Sequence, residues 1–490
     1  MLSGELLQNR NNLKKTLFLF FTLIFFLNAL SGQEISGTVI NSQTGQPLEN
    51  VNVINADTQE GQVTDSEGAF SLKNVDLPLT LEFSSLGFRT QQRTFNKPGS
   101  SIIISLQPEI GELSEVILRS ANIRQELRKT PAAVGIITAQ ALKRKDNFNL
   151  VQNFNYVPGV YVNQGALNTN KINIRGIGSR SQYSTNRIKA YINGIPITTA
   201  EGELTLDDLD PEMIDRIEIF KGPVSSVFGA GLGGAVNLYT DYRRRDQKSL
   251  SGAFSYGSFN TRKYHSNLTY VQDSLDLSVN YNKLQSDSYR ENGAYDRVSI
   301  SGNAGYLTKG GNYWSFFFSY ANLKAFIPSS LNEDDFRNDP QSAAFTWYQA
   351  AGYESYSRNI MGLSYEHNFS EDFTNQTSVF FNSRDGYEPR PFDILDEDRN
   401  SVGIRSRFNQ QLSLFEMPAE LSFGTELMWE FYKAGNYENL YESVEERRSV
   451  QGDLLSRNSQ DRNYMNLFAQ VNFQPVEDLN VEAGLNFNST

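Results

Sequence analysis

Alternation of apolar and polar residues dominates the second half of the chain. Residues 275–282 alternate without a break, as expected for a strand with one apolar and one polar face. Similar segments recur at 251–259, 264–271, 297–308, 313–325, 359–369, 373–383, 402–412, 419–432, 462–473 and 479–488. The pattern predicts about eleven amphipathic strands of a membrane barrel over residues 249–490, because each strand can face lipid on one side and water on the other. The longest polar spacers, 326–357 and 384–400, are predicted to be external loops.

The first half of the chain has a different texture. Residues 33–107 carry short apolar runs separated by Gly, Asn, Asp and Pro, which predicts a small β-sandwich. Residues 119–241 combine strand patterns with a helical pattern between Ala141 and Phe154, which indicates an α/β domain. Within this domain, Asn193-Gly194 stands between two apolar runs and favours a two-residue type I′ hairpin.

A glycine-rich stretch, residues 229–234, fits the G-x-G-x-x-G pattern of dinucleotide binding. The cofactor loop must follow a strand and open a helix, whereas these glycines follow a predicted helix and precede the strand 235–239. We therefore predict that they form close-packed turns.

The first 32 residues have the features of a secretory signal. Three basic residues precede the apolar run from Leu17 to Leu30, and small residues follow it. A single spanning helix is the alternative, but the run of about 14 residues is shorter than the ~20 that a bilayer requires. We expect the mature chain to begin near Gln33, beyond the inner membrane.

Composition excludes several classes of protein. The 490 residues include 33 Phe and 24 Tyr but only 20% charged residues, which does not fit a disordered chain. With no Cys and two His, the chain lacks the parts of disulfide frameworks and of Cys-bearing zinc sites. The net charge is −12 and becomes −14 when the signal, with its three cations and one anion, is removed. We therefore expect no nucleic-acid partner, because phosphate binding draws on a basic surface.

Four motifs of the α/β domain have a specific order and spacing. They are VPGV at 157–160, IRG at 174–176, NGIP at 193–196 and the segment 214–239. Together they resemble the plug domain of TonB-dependent outer-membrane receptors. Within that family, residues 220–229 resemble siderophore and cobalamin receptors, and residues 175–183 are most similar to ferric dicitrate receptors. The turn at 64–70 followed by Leu86-Gly87-Phe88 resembles the carboxypeptidase-regulatory-like domain of Bacteroidetes-type receptors.

A short extended apolar stretch lies in the linker, residues 108–118, just before the plug-like domain. It resembles the TonB box, which would add itself as a strand to the energy-transducing protein TonB. A featureless linker is the alternative. The residues expected to bind TonB are Leu113, Ser114, Glu115, Val116, Ile117 and Leu118.

The resemblance implies an energy-coupled importer rather than an enzyme, with no cofactor. It would sit in outer-membrane lipid with its N-terminal domain and plug base facing the periplasm. It would take up a ferric siderophore or related iron chelate, driven by TonB and its inner-membrane energising complex. The alternatives are a signal-transducing or adhesive receptor, or an importer of another nutrient such as cobalamin or an oligosaccharide.

Candidate ligand contacts lie at the apex of the plug-like domain. Arginine suits the carboxylates of a chelate because its planar fork donates two parallel hydrogen bonds. For Arg175, a structural ion pair with the barrel wall is the alternative role. The candidates are Arg175, Arg180, Gln182, Tyr183 and Arg187.

About eleven strands are too few to enclose such a plug, because plugged transporters have ~22 strands and barrel diameter grows with strand number. Bacterial barrels also close with even strand counts. We therefore expect a mainly β fold comprising a β-sandwich, an α/β plug and the N-terminal half of a 22-stranded antiparallel barrel, truncated at its C-terminus. A smaller barrel with the plug outside it is the alternative.

The remaining candidate groups are expected to be structural. His265 and His367 are predicted to be isolated residues of barrel strands. Asp393 and Asp396 are predicted to be solvated residues of the 384–400 loop rather than a pair of catalytic carboxylates.

Overall fold

The computed structural model describes most of the chain after residue 32. The described residues are 33–107 without 43, 57, 59, 86 and 87; 117–118, 125–126 and 130; 132–240 without 146, 168, 179–184, 186, 223–225 and 230; and 247–490 without 477 and 478. The predicted signal, residues 1–32, lies outside them. The chain divides into two compact units between Glu115 and Val116.

The N-terminal unit consists of two small sheets. Its strands are β1 (Glu34–Asn41), β2 (Asn52–Asn55), β3 (Gly61–Val63), β4 (Ala69–Lys73), β5 (Leu79–Ser84), β6 (Gln91–Phe95) and β7 (Gly99–Leu106). One sheet has the order β4-β1-β7 and the other the order β3-β2-β5-β6. Alternate residues of β1 and β5, among them Val39, Leu81 and Phe83, are buried in one hydrophobic cluster. The predicted β-sandwich is confirmed.

The second unit begins with an α/β region. Its elements are β8 (Ile117–Leu118), β9 (Gln125–Glu126), β10 (Val134–Thr138), α1 (Ala139–Arg144), β11 (Val160–Ala166), β12 (Thr169–Ile174), β13 (Ile188–Ile192), β14 (Ile195–Pro196), β15 (Arg216–Lys221) and β16 (Gly234–Tyr239). Strands β10-β15-β16-β13-β14 form one sheet, and β11 pairs with β12. The turn between β13 and β14 has φ of 50° at Asn193 and 84° at Gly194, which agrees with the predicted type I′ hairpin. We call the described residues of 132–240 the inner domain.

Eleven antiparallel strands form the rest of the unit, which we call the wall sheet. They are β17 (Gln247–Gly257), β18 (Thr261–Gln272), β19 (Leu275–Ser286), β20 (Tyr295–Leu307), β21 (Tyr313–Phe326), β22 (Tyr353–Asn368), β23 (Phe373–Arg390), β24 (Asp393–Leu414), β25 (Met417–Asn439), β26 (Gln451–Val476) and β27 (Leu479–Ser489). Each strand pairs with the next along the chain. The eleven strands match the eleven predicted segments one to one.

The two ends of the wall sheet differ in their connections. At one end, here the turn end, residues 273–274, 308–312, 369–372 and 415–416 connect the strands. At the other, the loop end, the longest connection is 327–352, which holds helices α2 (Glu333–Asn338) and α3 (Phe345–Ala350). The second predicted loop, 384–400, is wrong: β23 and β24 continue through it and turn at residues 391–392. Polar composition misled the prediction, because strands that extend beyond a bilayer no longer need an apolar face.

The outer face of the wall sheet is apolar. Exposed side chains alternate with inward ones on each strand, as Trp314, Phe316 and Tyr320 do on β21. Toward the turn end, aromatic rings touch from strand to strand, with centroids 4.3 Å apart for Trp314 and Tyr365 and 5.1 Å apart for Phe408 and Phe423. An apolar band edged by aromatic residues is typical of a barrel surface at a membrane interface. The inner face contacts the inner domain.

Helices play little part in this architecture. Among the described residues, no helix is both long and apolar enough to cross a bilayer.

Candidate functional site at the junction of the inner domain and the wall sheet

An acidic segment of the inner domain, residues 201–212, lies along the inner face of the wall sheet. It carries six carboxylates in twelve residues. Every second strand of the wall, from β18 to β26, contributes one cation that contacts this segment. The cation on β18 contacts the C-terminal end of the segment, and the cation on β26 contacts its N-terminal end. The contacts are Lys263 with Glu212 and Asp210 (both 2.9 Å), Arg297 with the carbonyl of Asp207 (2.9 Å), Arg358 with Asp208 (3.1 Å), Arg399 with Glu203 (2.9 Å) and Arg462 with Glu201 (2.9 Å).

Arg358 is the most extensively bonded of these cations. Its guanidinium donates to both carboxylate oxygens of Asp208, at 3.1 and 3.3 Å, and to the carbonyls of Thr205 at 3.0 Å and Ile197 at 3.1 Å. Both charged side chains are at least nine-tenths buried. Because a buried charge without a partner is costly, this fork fastens the inner domain to β22.

Nearer the loop end, arginines and glutamates of neighbouring wall strands form ion pairs, and one of these arginines reaches the inner domain. Arg384 contacts Glu354 and donates to Glu397 at 2.7 Å, and Arg399 bridges to Glu203. Burial raises the pKa of Glu203, but the charge and hydrogen bond of Arg399 outweigh this effect and hold its pKa below the ordinary value. These arginines already have carboxylate partners, so an anionic ligand would have to compete with them.

The long connections at the loop end are fastened to one another. Arg290 donates to the carbonyls of Pro328, Ser329 and Ser342 at 2.6–3.3 Å. Asn292 donates to the carbonyls of Ile327 and Gly352, both at 2.9 Å. The 327–352 connection is therefore held in a defined position relative to 287–294, as a preorganised recognition surface requires.

A second charged cluster lies deeper, where the inner domain meets β18. Lys263 contacts both Asp210 and Glu212, and Nδ1 of His265 lies 3.4 Å from Asp210 Oδ2 and 3.2 Å from Glu212 Oε2. Burial raises the pKa of Asp210, but the hydrogen bond of His265 and the charges of Lys263 and Arg297 outweigh it and bring the pKa to about 2. Asp210 is thus ionised at neutral pH.

This cluster is also the place to test for a metal. Ligand atoms of Asp210, Glu212 and His265 lie within 4.8 Å of one another. However, the ammonium of Lys263 lies 2.9 Å from both carboxylates and already compensates their charge. The donor set therefore fits an ion-pair network better than a metal centre.

On one side, the inner domain meets the wall through apolar side chains. Phe317, Ile360, Phe380 and Met428 of β21, β22, β23 and β25 belong to the same buried hydrophobic cluster as the core of the inner domain. Ile195 comes so close to β22 that a Cβ on Gly362 would lie 2.2 Å from its Cδ1. We call this contact the apolar seam.

On the other side, a cavity of about 280 Å³ separates the inner domain from β17–β20. Small polar side chains of the wall line it together with residues of α1 and of 211–215. The wall residues are Ser251, Gly252, Ala253, His265, Asn267, Thr269, Ser278, Asn280 and Asn303. Since Asn267 donates to Asn280 at 2.8 Å and Thr269 to Asn267 at 2.9 Å, much of this polar lining is already hydrogen-bonded. We call this space the polar cavity.

The structure describes only some of the predicted site residues. Leu113, Ser114, Glu115 and Val116, and likewise Arg180, Gln182 and Tyr183, lie outside the described residues. The backbone of Ile117 and Leu118 is extended and pairs with Gln125–Glu126.

Arg175 and Arg187 are both exposed and both have positive φ, 51° and 67°. Nη1 of Arg175 donates to the carbonyl of Lys221 at 3.1 Å. Within the described residues this contact is to backbone rather than to a wall carboxylate. The roles predicted for Arg175 and Arg187 stay predictions.

Two sequence interpretations are corrected by these contacts. His265 is not isolated, because it faces Asp210 and Glu212 across the junction. Asp393 is not a solvated loop residue, because it lies in β24, is 8% exposed and accepts hydrogen bonds from Arg390 at 2.7 and 2.9 Å. Neither contact was predicted from the sequence. The density of carboxylates in 201–212 is the one sequence signal that points to the contact of His265.

The glycine-rich stretch behaves as predicted. A Cβ on Gly229 would lie 2.6 Å from the hydroxyl of Tyr464 on β26, and one on Gly234 would lie 2.0 Å from the carbonyl of Phe220. These glycines permit close approach to the wall and to β15, and β16 follows them as a strand.

Comparisons with known proteins agree with this architecture. Residues 126–236 match the family model of the TonB-dependent Receptor Plug Domain, and residues 35–118 match that of the CarboxypepD_reg-like domain. TonB-dependent receptor P39 of Formosa agariphila is 29% identical over 223 residues, which cover 44% of this chain and 20% of that protein. The ferrichrome outer membrane transporter/phage receptor of Escherichia coli is 26% identical over 292 residues, covering 52% of this chain and 35% of that protein.

Solved structures show the same fold. The ferripyoverdine receptor of the outer membrane of Pseudomonas aeruginosa superposes with a TM-score of 0.62 at 15% identity, over 78% of this chain and 56% of that one. The chain thus covers less than two thirds of each of these relatives. It carries a TonB-dependent receptor plug domain behind a carboxypeptidase-regulatory-like domain, and its relatives include TonB-dependent receptors and transporters of the outer membrane, which are not enzymes.

Proposed function

We propose that this chain belongs to an energy-coupled importer of the outer membrane that takes up a ferric siderophore or a related iron chelate. The observation that carries the proposal is the plug-domain match at residues 126–236, a domain that lies against the inner face of an eleven-stranded sheet. Two of the relatives named above handle ferrichrome and ferripyoverdine, which supports the ligand class. In this proposal the loop end faces the exterior, and the N-terminal unit and the turn end face the periplasm.

The mechanism couples two sites by a free energy rather than by a catalytic group. A ligand at the loop end contacts Arg175, Arg180, Gln182, Tyr183 and Arg187, and its binding changes the availability of the strand at 113–118 for TonB. Because coupling is reciprocal, TonB engagement in turn weakens the hold on the ligand. Pulling by TonB then loosens the inner domain from the wall.

The coupling strand is tested with Val116→Pro and its control Val116→Ala. Proline removes a backbone N–H that an added strand would donate, whereas alanine keeps it. In iron-starved host cells that express the receptor, Val116→Pro should abolish energy-dependent ⁵⁵Fe accumulation and leave surface binding of the ⁵⁵Fe chelate intact. Unchanged accumulation in the proline variant would refute the assignment.

The ligand class is tested by competition at the cell surface. A ferric hydroxamate, a ferric catecholate and ferric citrate are supplied as ⁵⁵Fe complexes, with cyanocobalamin and a malto-oligosaccharide as separate arms. Saturable binding of an iron complex that falls in Arg187→Ala but not in Arg93→Ala, a change at an exposed arginine of β6 in the N-terminal unit, supports the proposal. Saturable binding of cobalamin or the oligosaccharide alone would replace the iron chelate with another nutrient.

A further inference from the structure

The polar cavity and the Asp210–Glu212–Lys263–His265 cluster lie on the same side of the inner domain. The inward positions of β18 show their order: from the loop end toward the turn end they are Lys263, His265, Asn267 and Thr269. Lys263 and His265 contact the acidic segment, and His265, Asn267 and Thr269 line the cavity. The cluster therefore closes the cavity on the side of the loop end.

At the polar cavity, opening the junction exposes little additional apolar surface of the wall, because the apolar wall residues of this side, Leu284 and Tyr295, lie in a separate cluster with Phe148 and Leu167 nearer the loop end. The wall there presents Ser278, Asn280 and Asn303. Asn267 donates to Asn280 at 2.8 Å and Thr240 of the inner domain donates to Asn303 at 2.9 Å, and water can replace these partners. Separation at the apolar seam would instead expose Phe317, Ile360 and Phe380 to water, which the hydrophobic effect opposes.

The contacts of the cluster cross the junction, so they separate on opening. Asp210 and Glu212 belong to the inner domain, and Lys263 and His265 belong to the wall. Movement of the short 3₁₀ helix Pro211–Met213 would part the two carboxylates from Lys263 and His265, and water could hydrate each group.

We propose that the junction with β17, β18 and the turn-end halves of β19 and β20 is the hydrated path that opens for a hydrophilic solute, and that the Asp210–Glu212–Lys263–His265 cluster is the gate that closes it. The proposal deepens the import function proposed above and rests on it. It assigns the apolar seam the opposite role, a fixed attachment that stays closed while the gate opens.

The gate is tested by comparing Asp210→Asn with Asp208→Asn. Each change removes one buried carboxylate from an ion pair between the inner domain and the wall, but Asp210 faces β18 at the cavity and Asp208 faces Arg358 at the sealed side. The probe is ionic current in KCl across planar bilayers that contain the purified receptor. We expect a severalfold rise in current for Asp210→Asn and parent-like current for Asp208→Asn. Equal currents in the two variants, whether raised or not, would overturn the gate.

The path is tested independently by cysteine accessibility, because the chain has no native Cys. Ser278→Cys places a thiol in the polar cavity, and Ser364→Cys places one at a similar depth on β22; the parent serines are 8% and 4% exposed. In outer-membrane preparations, a charged methanethiosulfonate should label position 278 severalfold faster than position 364. Equal labelling or faster labelling of position 364 would overturn the path, even if Asp210→Asn misfolds.

Neither probe is an imported nutrient. If ⁵⁵Fe uptake fails while the current and the labelling behave as expected, the import function is wrong and the gated junction stands. If uptake succeeds while the labelling is equal at both positions, the importer stands and its path lies elsewhere.

Discussion

The inner domain contacts the wall sheet in two different ways. Against β21–β25 the contact is an extension of the hydrophobic core. Around the polar cavity, against β17, β18 and the turn-end halves of β19 and β20, the wall contributes mainly polar groups, many of them hydrogen-bonded. An apolar contact is lost only at the full cost of exposing its surface, while polar groups exchange one partner for another at a smaller net cost. The inner domain can therefore be held firmly on one side and released on the other.

The largest loss of stability should come from removing Arg358, whose guanidinium holds Asp208 on the firmly held side. Arg358→Ala leaves Asp208 and two backbone carbonyls without their donor in a buried place, so the free energy of unfolding should fall by about 3–5 kcal/mol. Urea unfolding followed by near-UV circular dichroism measures this loss. The control, Arg337→Ala, removes an exposed ion pair of α2 and should cost less than about 1 kcal/mol. Similar losses in the two variants would show that the fork does not hold the domain.

A smaller effect is expected from truncating single side chains at the apolar seam and at the polar cavity. Ile195→Ala should lower the free energy of unfolding by about 2–4 kcal/mol, because Ile195 is 1% exposed and fills the space above Gly362. Ser278→Ala on the cavity side should cost less than about 1 kcal/mol. The same urea titration measures both changes. A larger loss for Ser278→Ala would reverse the order of the two contacts.

The free energy of unfolding should depend on pH through Asp210, on the cavity side. The pKa of Asp210 is about 2, below the ordinary value of about 3.9, so its ionised form stabilises the folded state above pH 4. That contribution, about 2 kcal/mol, is lost as the pH falls from about 4 to about 2. The stability gap between the parent and Asp210→Asn should shrink over this range. A gap that stays constant would refute the charge network, and Asp334→Asn in α2 serves as the control.

The smallest expected effect concerns the glycine-rich turns. NADH or NADPH at millimolar concentration should leave the thermal unfolding midpoint unchanged. The space beside Gly229 is filled by Tyr464 and the space beside Gly234 by the backbone of Phe220, so a phosphate has no room there. A saturable rise in the midpoint would show that these glycines form a nucleotide site after all.

Regular patterns in the sequence predict the fold well. The eleven wall strands follow from alternation, and the hairpin at Asn193-Gly194 follows from the conformations that this pair prefers. Residues 384–400 show where such reasoning fails, because β23 and β24 extend through a polar segment that loses its apolar face.

The charged junction could not be predicted in the same way. Asp210 and Lys263 are 53 residues apart, and Asp208 and Arg358 are 150 apart. Their pairing depends on how the inner domain is seated against the wall, which no local pattern records. The sequence showed six carboxylates in 201–212 and arginines on alternate strands, but not that one set faces the other.

Hydrogen–deuterium exchange of the receptor in outer-membrane vesicles distinguishes the firm contact of the inner domain from the releasable one. We expect the amides of residues 139–144 and 211–215, beside the polar cavity, to exchange roughly tenfold or more faster than those of 188–197, behind the apolar seam. Equal protection of the two regions, or slower exchange beside the cavity, would contradict this expectation.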